Sequence, residues 1–99
     1  MKLNIQSIHF DADQKLLALV QDKADKLETY YDQIVSGEVF LRVEKSENRE
    51  NKLVEIKLVV PGNDLFASKK AGTFEEALDE AMEALRRQVK KLKEKLSDR

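Results

Sequence analysis

The apolar residues of this chain change their repeat three times, and that alternation restricts the fold more than any other feature. Residues 2–9, KLNIQSIH, alternate, with Leu3, Ile5 and Ser7 on one side and Lys2, Asn4 and Gln6 on the other. This is the period of a strand. From about residue 12 to 31 the spacing lengthens to three and four, and Leu16, Leu17, Val20, Ala24, Leu27 and Tyr31 form the buried stripe of a helix. The repeat then returns to two. In EVFLRVE, Val39, Leu41 and Val43 oppose Glu38, Phe40, Arg42 and Glu44; in LVEIKLVV, Val54, Ile56, Leu58 and Val60 oppose Glu55, Lys57 and Val59. A short strand is predicted at LFASK, 65–69. Finally Phe74, Leu78, Ala81, Leu85, Val89, Leu92 and Leu96 restore the helical spacing.

Punctuation falls between these stretches. Asp11, with Gln14 three residues on, is expected to cap the first helix. Gly37 marks its end, KSENREN at 45–51 is a hairpin loop, and PGND at 61–64 is a turn. Thr73 and Glu76 form a T-x-x-E capping box ahead of the last helix, whose roughly 24 residues extend about 36 Å. That is more than a sheet of short strands needs, so its last turns should project past the core or lie along its edge.

The order β-α-β-β-β-α predicts an α+β fold. The first helix is a crossover, so the first two strands should pair in parallel with a right-handed connection, and the remaining strands form an antiparallel meander. Every strand has one apolar face and both helices are amphipathic. The expected architecture is a two-layer sandwich, a four-stranded mixed sheet with both helices on one face. Ninety-nine residues suit a single domain, 1–99.

Few residues can carry reaction chemistry. There is one His and no Cys, which leaves no thiol nucleophile and too few soft ligands for zinc. His9, at a strand end, reads as a surface residue. The glycines at 37, 62 and 72 are too far apart for a phosphate loop. No catalytic residue, metal, cofactor or small-molecule substrate is expected. No apolar run approaches the roughly 18 residues of a membrane span, and the N-terminus lacks the pattern of a secretion signal. A cytoplasmic location without membrane contact follows as the expectation.

Charge is the informative property. The net charge is only −1. Residues 1–85 nevertheless hold 11 bases against 17 acids, and residues 86–99 hold 7 bases against 2 acids. Screening confines fields to about 8–10 Å, so the local excess decides binding. With Leu85, Val89, Leu92 and Leu96 inward, Arg86, Lys90 and Lys93 line one flank of the last helix. Arg87 and Lys91 line its back and other flank, with Lys95 beyond. Bases at a helix end suit its dipole, but that effect fades within a turn, and like charges at (i, i+4), as in Arg86/Lys90 and Arg87/Lys91, repel. Seven bases therefore point to a surface for a polyanion. Lys23 and Lys26 add a smaller row on the first helix, expected to merge with the other if the helices lie side by side. Lys69 and Lys70 are placed to extend it. The wet sheet face carries Phe40 among charges, which is poor for stacking bases, so the helices should meet the ligand. Charge alone also allows a protein-interaction module that docks its basic C-terminal helix on an acidic partner protein.

MKLNIQSIHF, ADKLETYYD, the pair VFLRVE and LVEIKLVVPG, and above all DLFASKKAGTFEEALDEAMEALRRQVKKLKEK resemble the ribosome hibernation-promoting factor and ribosome-associated inhibitor family over nearly the whole chain. The resemblance implies the same fold, and binding to the small ribosomal subunit and its rRNA in the channel between head and body. There the protein would exclude transfer and messenger RNA and block translation. It carries the rRNA-binding role onto Arg87 and Lys91, with Arg86, Lys90 and Lys93 beside them, and onto Lys23 and Lys26. A further base common in the family falls at Thr29, which is uncharged. Long-form members add a C-terminal dimerisation domain. Ending at Arg99, this chain resembles the short form, expected to be a monomer away from the ribosome.

Overall fold

The computed structural model describes residues 1–45 and 50–97. The elements are β1 (Lys2–Ile8), α1 (Gln14–Tyr30), β2 (Ser36–Val43), β3 (Lys52–Val60), β4 (Asn63–Ala71) and α2 (Phe74–Ser97). The strands lie in the order β1-β2-β3-β4. β1 pairs with β2 in parallel, and the other two pairings are antiparallel. This is the four-stranded mixed sheet with two helices on one face that the periodicity predicts. The loop expected at 45–51 falls mostly outside the described residues, as does the side chain of Leu96.

Register builds the core face in rows. Leu3, Gly37, Leu58 and Leu65 lie side by side across the four strands, followed by Ile5, Val39, Ile56 and Ala67. Gly37 therefore belongs to β2 rather than to the end of a helix. A Cβ there would stand 2.7 Å from Leu3 Cδ2 and 2.8 Å from Leu58 Cδ2, so its bare backbone is what lets those two leucines converge. Over these rows α2 lays Leu78, Ala81, Leu85 and Val89, all fully buried, and α1 lays Val20 and Ala24. Fully burying one leucine is worth about 1.5–3 kcal/mol, which outweighs the few tenths that each exposed charge pair on these helices contributes. Packing, not surface charge, fixes where the helices lie.

Three expectations shift. The cap of α1 is Asp13, whose Oδ1 accepts from the Leu16 amide at 2.8 Å. The chain leaves β1 through His9, which is exposed and has φ of 69°, a left-handed value that His tolerates better than branched residues. Phe10 then stacks on Phe74 with ring centres 4.7 Å apart. Anchoring Phe10 uses up residues 11 and 12 in the approach, so Asp11 precedes the helix instead of capping it. Leu19, absent from the expected stripe, packs against the core, while Leu17 is half-buried. The strand predicted as LFASK is also longer. Pro61 and Gly62 (φ 78°) form a two-residue turn, and pairing with β3 runs from Asn63 to Ala71. At the start of α2, Thr73 Oγ1 accepts from the Glu76 amide at 3.1 Å, the N-cap bond of the expected capping box.

The two aspartates give a direct check on the helix start. Asp13→Ala should cost about 1 kcal/mol in urea unfolding, whereas Asp11→Ala should stay within about 0.5 kcal/mol of the parent.

Candidate nucleic-acid interface

The parallel pairing of β1 and β2 sends both helices down the sheet in the same direction. Lys23 of α1 meets Asp79 of α2, and seven residues further Tyr30 meets Arg86. The C-terminal half of α1 therefore runs beside α2 where the latter changes from acidic to basic. A groove of about 290 Å³ lies between them, lined by Lys26, Leu27, Tyr30, Met82, Glu83 and Arg86 among others.

Ion pairing divides the expected cations into two groups. Lys23 Nζ lies 2.5 Å from Asp79 Oδ1, and Lys26 Nζ lies 3.3 Å from Asp22 Oδ2 one turn back. Lys23 thus faces the acidic half of α2, and the expected merger of the two basic rows is confined to Lys26, which borders the groove opposite Arg86. Lys70 departs furthest. Because β4 continues to Ala71, Lys70 pairs in register with Leu53 and points to the open sheet face, away from the helices. There its Nζ binds Glu44 Oε2 at 2.8 Å, and that bond holds the Glu44 carboxyl below its ordinary range. Lys69, one residue earlier, sits on the helix side and borders a depression with Glu80, Glu83 and Arg87.

The second group is on α2. Arg86, Arg87, Lys90, Lys91 and Lys95 are exposed, and among the described residues none of them is ion-paired. Arg86 and Lys93 stand on the α1 side. Arg87 borders the depression near β4, and Lys91 and Lys95 line another beside Asn63 and Asp64. The cations therefore occupy both shoulders of one solvent-facing ridge. Neutral contacts stabilise the ridge. Gln88 Nε2 donates to the Phe66 carbonyl at 2.7 Å, and the Phe66 amide donates back to Gln88 Oε1 at 3.3 Å.

Tyr30 is the residue that sequence reasoning missed. The Arg86 guanidinium carbon lies 5.0 Å from its ring centre and Lys93 Nζ lies 4.3 Å away. Lys93 also donates to the Tyr30 carbonyl at 3.1 Å. The stripe rule selects its neighbour Tyr31, which is indeed buried. The available signal was the second row, in which Lys23, Leu27 and Tyr30 recur at four and three. Thr29, where a base was sought, donates its hydroxyl back to the Asp25 carbonyl at 3.1 Å.

The acids of α1 point elsewhere. The Met1 amine lies 2.6 Å from Glu28 Oε1 and 3.8 Å from Asp25 Oδ1, on the flank away from α2. The open sheet face pairs some of its own charges in Lys57–Asp64 and Lys70–Glu44. Its two aromatics, half-buried Phe40 and exposed Phe66, lie on β2 and β4 with β3 between them. They form no continuous stacking platform. Among the described residues no three His, Cys, Asp or Glu gather as a metal site, and no helix is long and apolar enough to cross a membrane.

A family model described as "Sigma 54 modulation protein / S30EA ribosomal protein" matches residues 3–97. The chain belongs to this family. Relatives in the S30EA family include a "Ribosome hibernation promoting factor" of Pseudomonas putida, 33% identical over 95 residues, which are 96% of this chain and 89% of that protein. The protein of the same name from Escherichia coli K12 is 31% identical, with 97% of each chain covered. Ribosome hibernation factors of this family are not enzymes. Solved structures share the fold: a ribosomal subunit interface protein from Coxiella burnetii has a TM-score of 0.83 at 20% identity, covering 94% of this chain and 98% of that one. The N-terminal domain of Thermus thermophilus Protein Y has a TM-score of 0.75 at 23% identity, covering 92% and 94%.

The Met1 contact has a pH signature. The bond to Glu28 raises the amine's pKa above its ordinary 8.0. A raised pKa in the folded state means stabilisation that is complete below about pH 8 and lost as pH rises through the folded value. The gap in unfolding midpoint between the parent and Glu28→Gln should therefore be widest near neutrality and close at alkaline pH.

Proposed function

We propose that this S30EA-family chain binds the small ribosomal subunit through the outer ridge of α2, at the rRNA of the decoding channel, and silences the ribosome by excluding transfer and messenger RNA. The observation that carries this reading is the exposed set Arg86, Arg87, Lys90, Lys91 and Lys95 on α2, none of which is ion-paired among the described residues. No existing ion pair has to be broken before they meet phosphates, so less of the attraction is spent on exchange. Arg87 and Lys91 lie one turn apart and supply phosphate contacts, joined by Arg86, Lys90 and Lys93. Such contacts bind without reading sequence, and placement comes from the rigid pair of helices on the sheet. Lys23 and Lys26 contribute only by exchanging Asp79 and Asp22 for phosphate. Exposed pairs are worth about 0–1 kcal/mol, so that exchange is feasible. Lys70 faces the other way and takes no part. The mode of action is steric, in the cytoplasm, and needs no cofactor. The names of the relatives and the basic ridge support the same conclusion from independent directions.

Sedimentation with isolated small subunits over a salt series tests it. Each phosphate contact adds about 0.7–0.9 to the slope of log affinity against log salt. Arg87→Glu/Lys91→Glu should flatten the slope by about 1.4–1.8 and weaken binding at least about tenfold, or roughly 1.4 kcal/mol. Wild-type binding that ignores salt, or a double variant that binds normally, overturns the proposal.

A further inference from the structure

We infer that Tyr30 is a positioning residue of the RNA-binding ridge, holding Arg86 and Lys93 assembled before a phosphate strand arrives. This deepens the ribosome-binding reading and rests on it. An arginine and a lysine on a free helix surface sample many rotamers, and immobilising them is a cost that binding must bear. Here both are already engaged by one neighbour. The ring attracts the guanidinium at 5.0 Å and the ammonium at 4.3 Å through its quadrupole. The carbonyl of the same residue, at the C-terminal end of α1 where the helix dipole is negative, accepts from Lys93 at 3.1 Å.

A ring differs from a carboxylate in what it leaves available. Asp79 neutralises Lys23 and Asp22 neutralises Lys26, whereas Tyr30 orients two cations without cancelling their charge. Arg86 and Lys93 are two turns apart on α2, and Lys90 lies between them on the same shoulder. Fixing the two ends of this row sets the spacing of all three. The aromatic ring also ties the end of α1 to the basic half of α2, which is the junction that Lys23 and Lys26 do not make. The ligand that fits is a run of consecutive phosphates on one RNA strand, laid along the α1 side of α2.

Three variants and two readouts test this. Tyr30→Phe keeps the ring, Tyr30→Leu keeps apolar bulk and loses it, and Arg86→Gln/Lys93→Gln removes the cations. In the free protein, NMR relaxation of the Arg86 side-chain nitrogen should show restricted motion in wild type and Tyr30→Phe, and free motion in Tyr30→Leu. On isolated small subunits, Tyr30→Leu should bind about three- to tenfold more weakly, with the salt slope unchanged because no charge is lost. Tyr30→Phe should bind as wild type, and Tyr30→Leu should cost nothing further in the Arg86→Gln/Lys93→Gln background. The inference falls if Tyr30→Leu leaves Arg86 restricted or binding intact, if Tyr30→Phe fails as Tyr30→Leu does, or if the loss persists without the cations. Wild type that binds no subunits removes the ribosomal function itself. That result is distinct from the loss of Arg86 order in the free protein.

Discussion

The parallel pairing of β1 and β2 is the constraint from which the working surface follows. A parallel neighbour requires a crossover, and α1 is that crossover. It must descend against the strands, and α2, leaving the end of β4, must descend beside it. Had the first two strands formed a hairpin, no helix would lie next to the basic end of α2. Because the helices run together, residue 30 lands opposite residues 86 and 93, and the two ends share one side of the molecule.

On this frame, burial and charge act at different scales. The apolar stripe of α2 is fully buried as far as Val89, and Leu92 is half-buried, so the basic turns are held by core contacts almost to their end. The bases are therefore carried by a rod whose position does not depend on them. Several of the acids are engaged elsewhere. Asp25 and Glu28 turn to the Met1 amine, Asp79 to Lys23, and Glu44 to Lys70. A near-neutral chain thereby leaves Arg86, Arg87, Lys90, Lys91 and Lys95 on one ridge with no ion pair among the described residues.

The fold was legible because the apolar repeat alone separates strands from helices, and each element here has one clean apolar face. The helix start was less so. Asp11 and Asp13 both satisfy the capping rule, and only the stacking of Phe10 on Phe74 decides between them. A strand that stops at Lys69, two residues early, leaves Lys70 in a loop, whereas period two, continued to Ala71, sends it to the far face. The α2 cations were readable as a local excess of charge. Their pairing was not, since Lys23–Asp79 and Tyr30–Arg86 join residues 56 positions apart in the chain. Nothing local marks such contacts except the direction of the helices.

Gln88 has a consequence for the rim of the sheet. A strand added beside β4 would have to exchange main-chain bonds with Phe66, and the Gln88 amide already occupies that donor and that acceptor. The side chain acts as a one-residue plug, so this border of the sheet is shielded from edge-to-edge aggregation. The border along β1 carries instead the charge of Lys2, which disfavours such pairing.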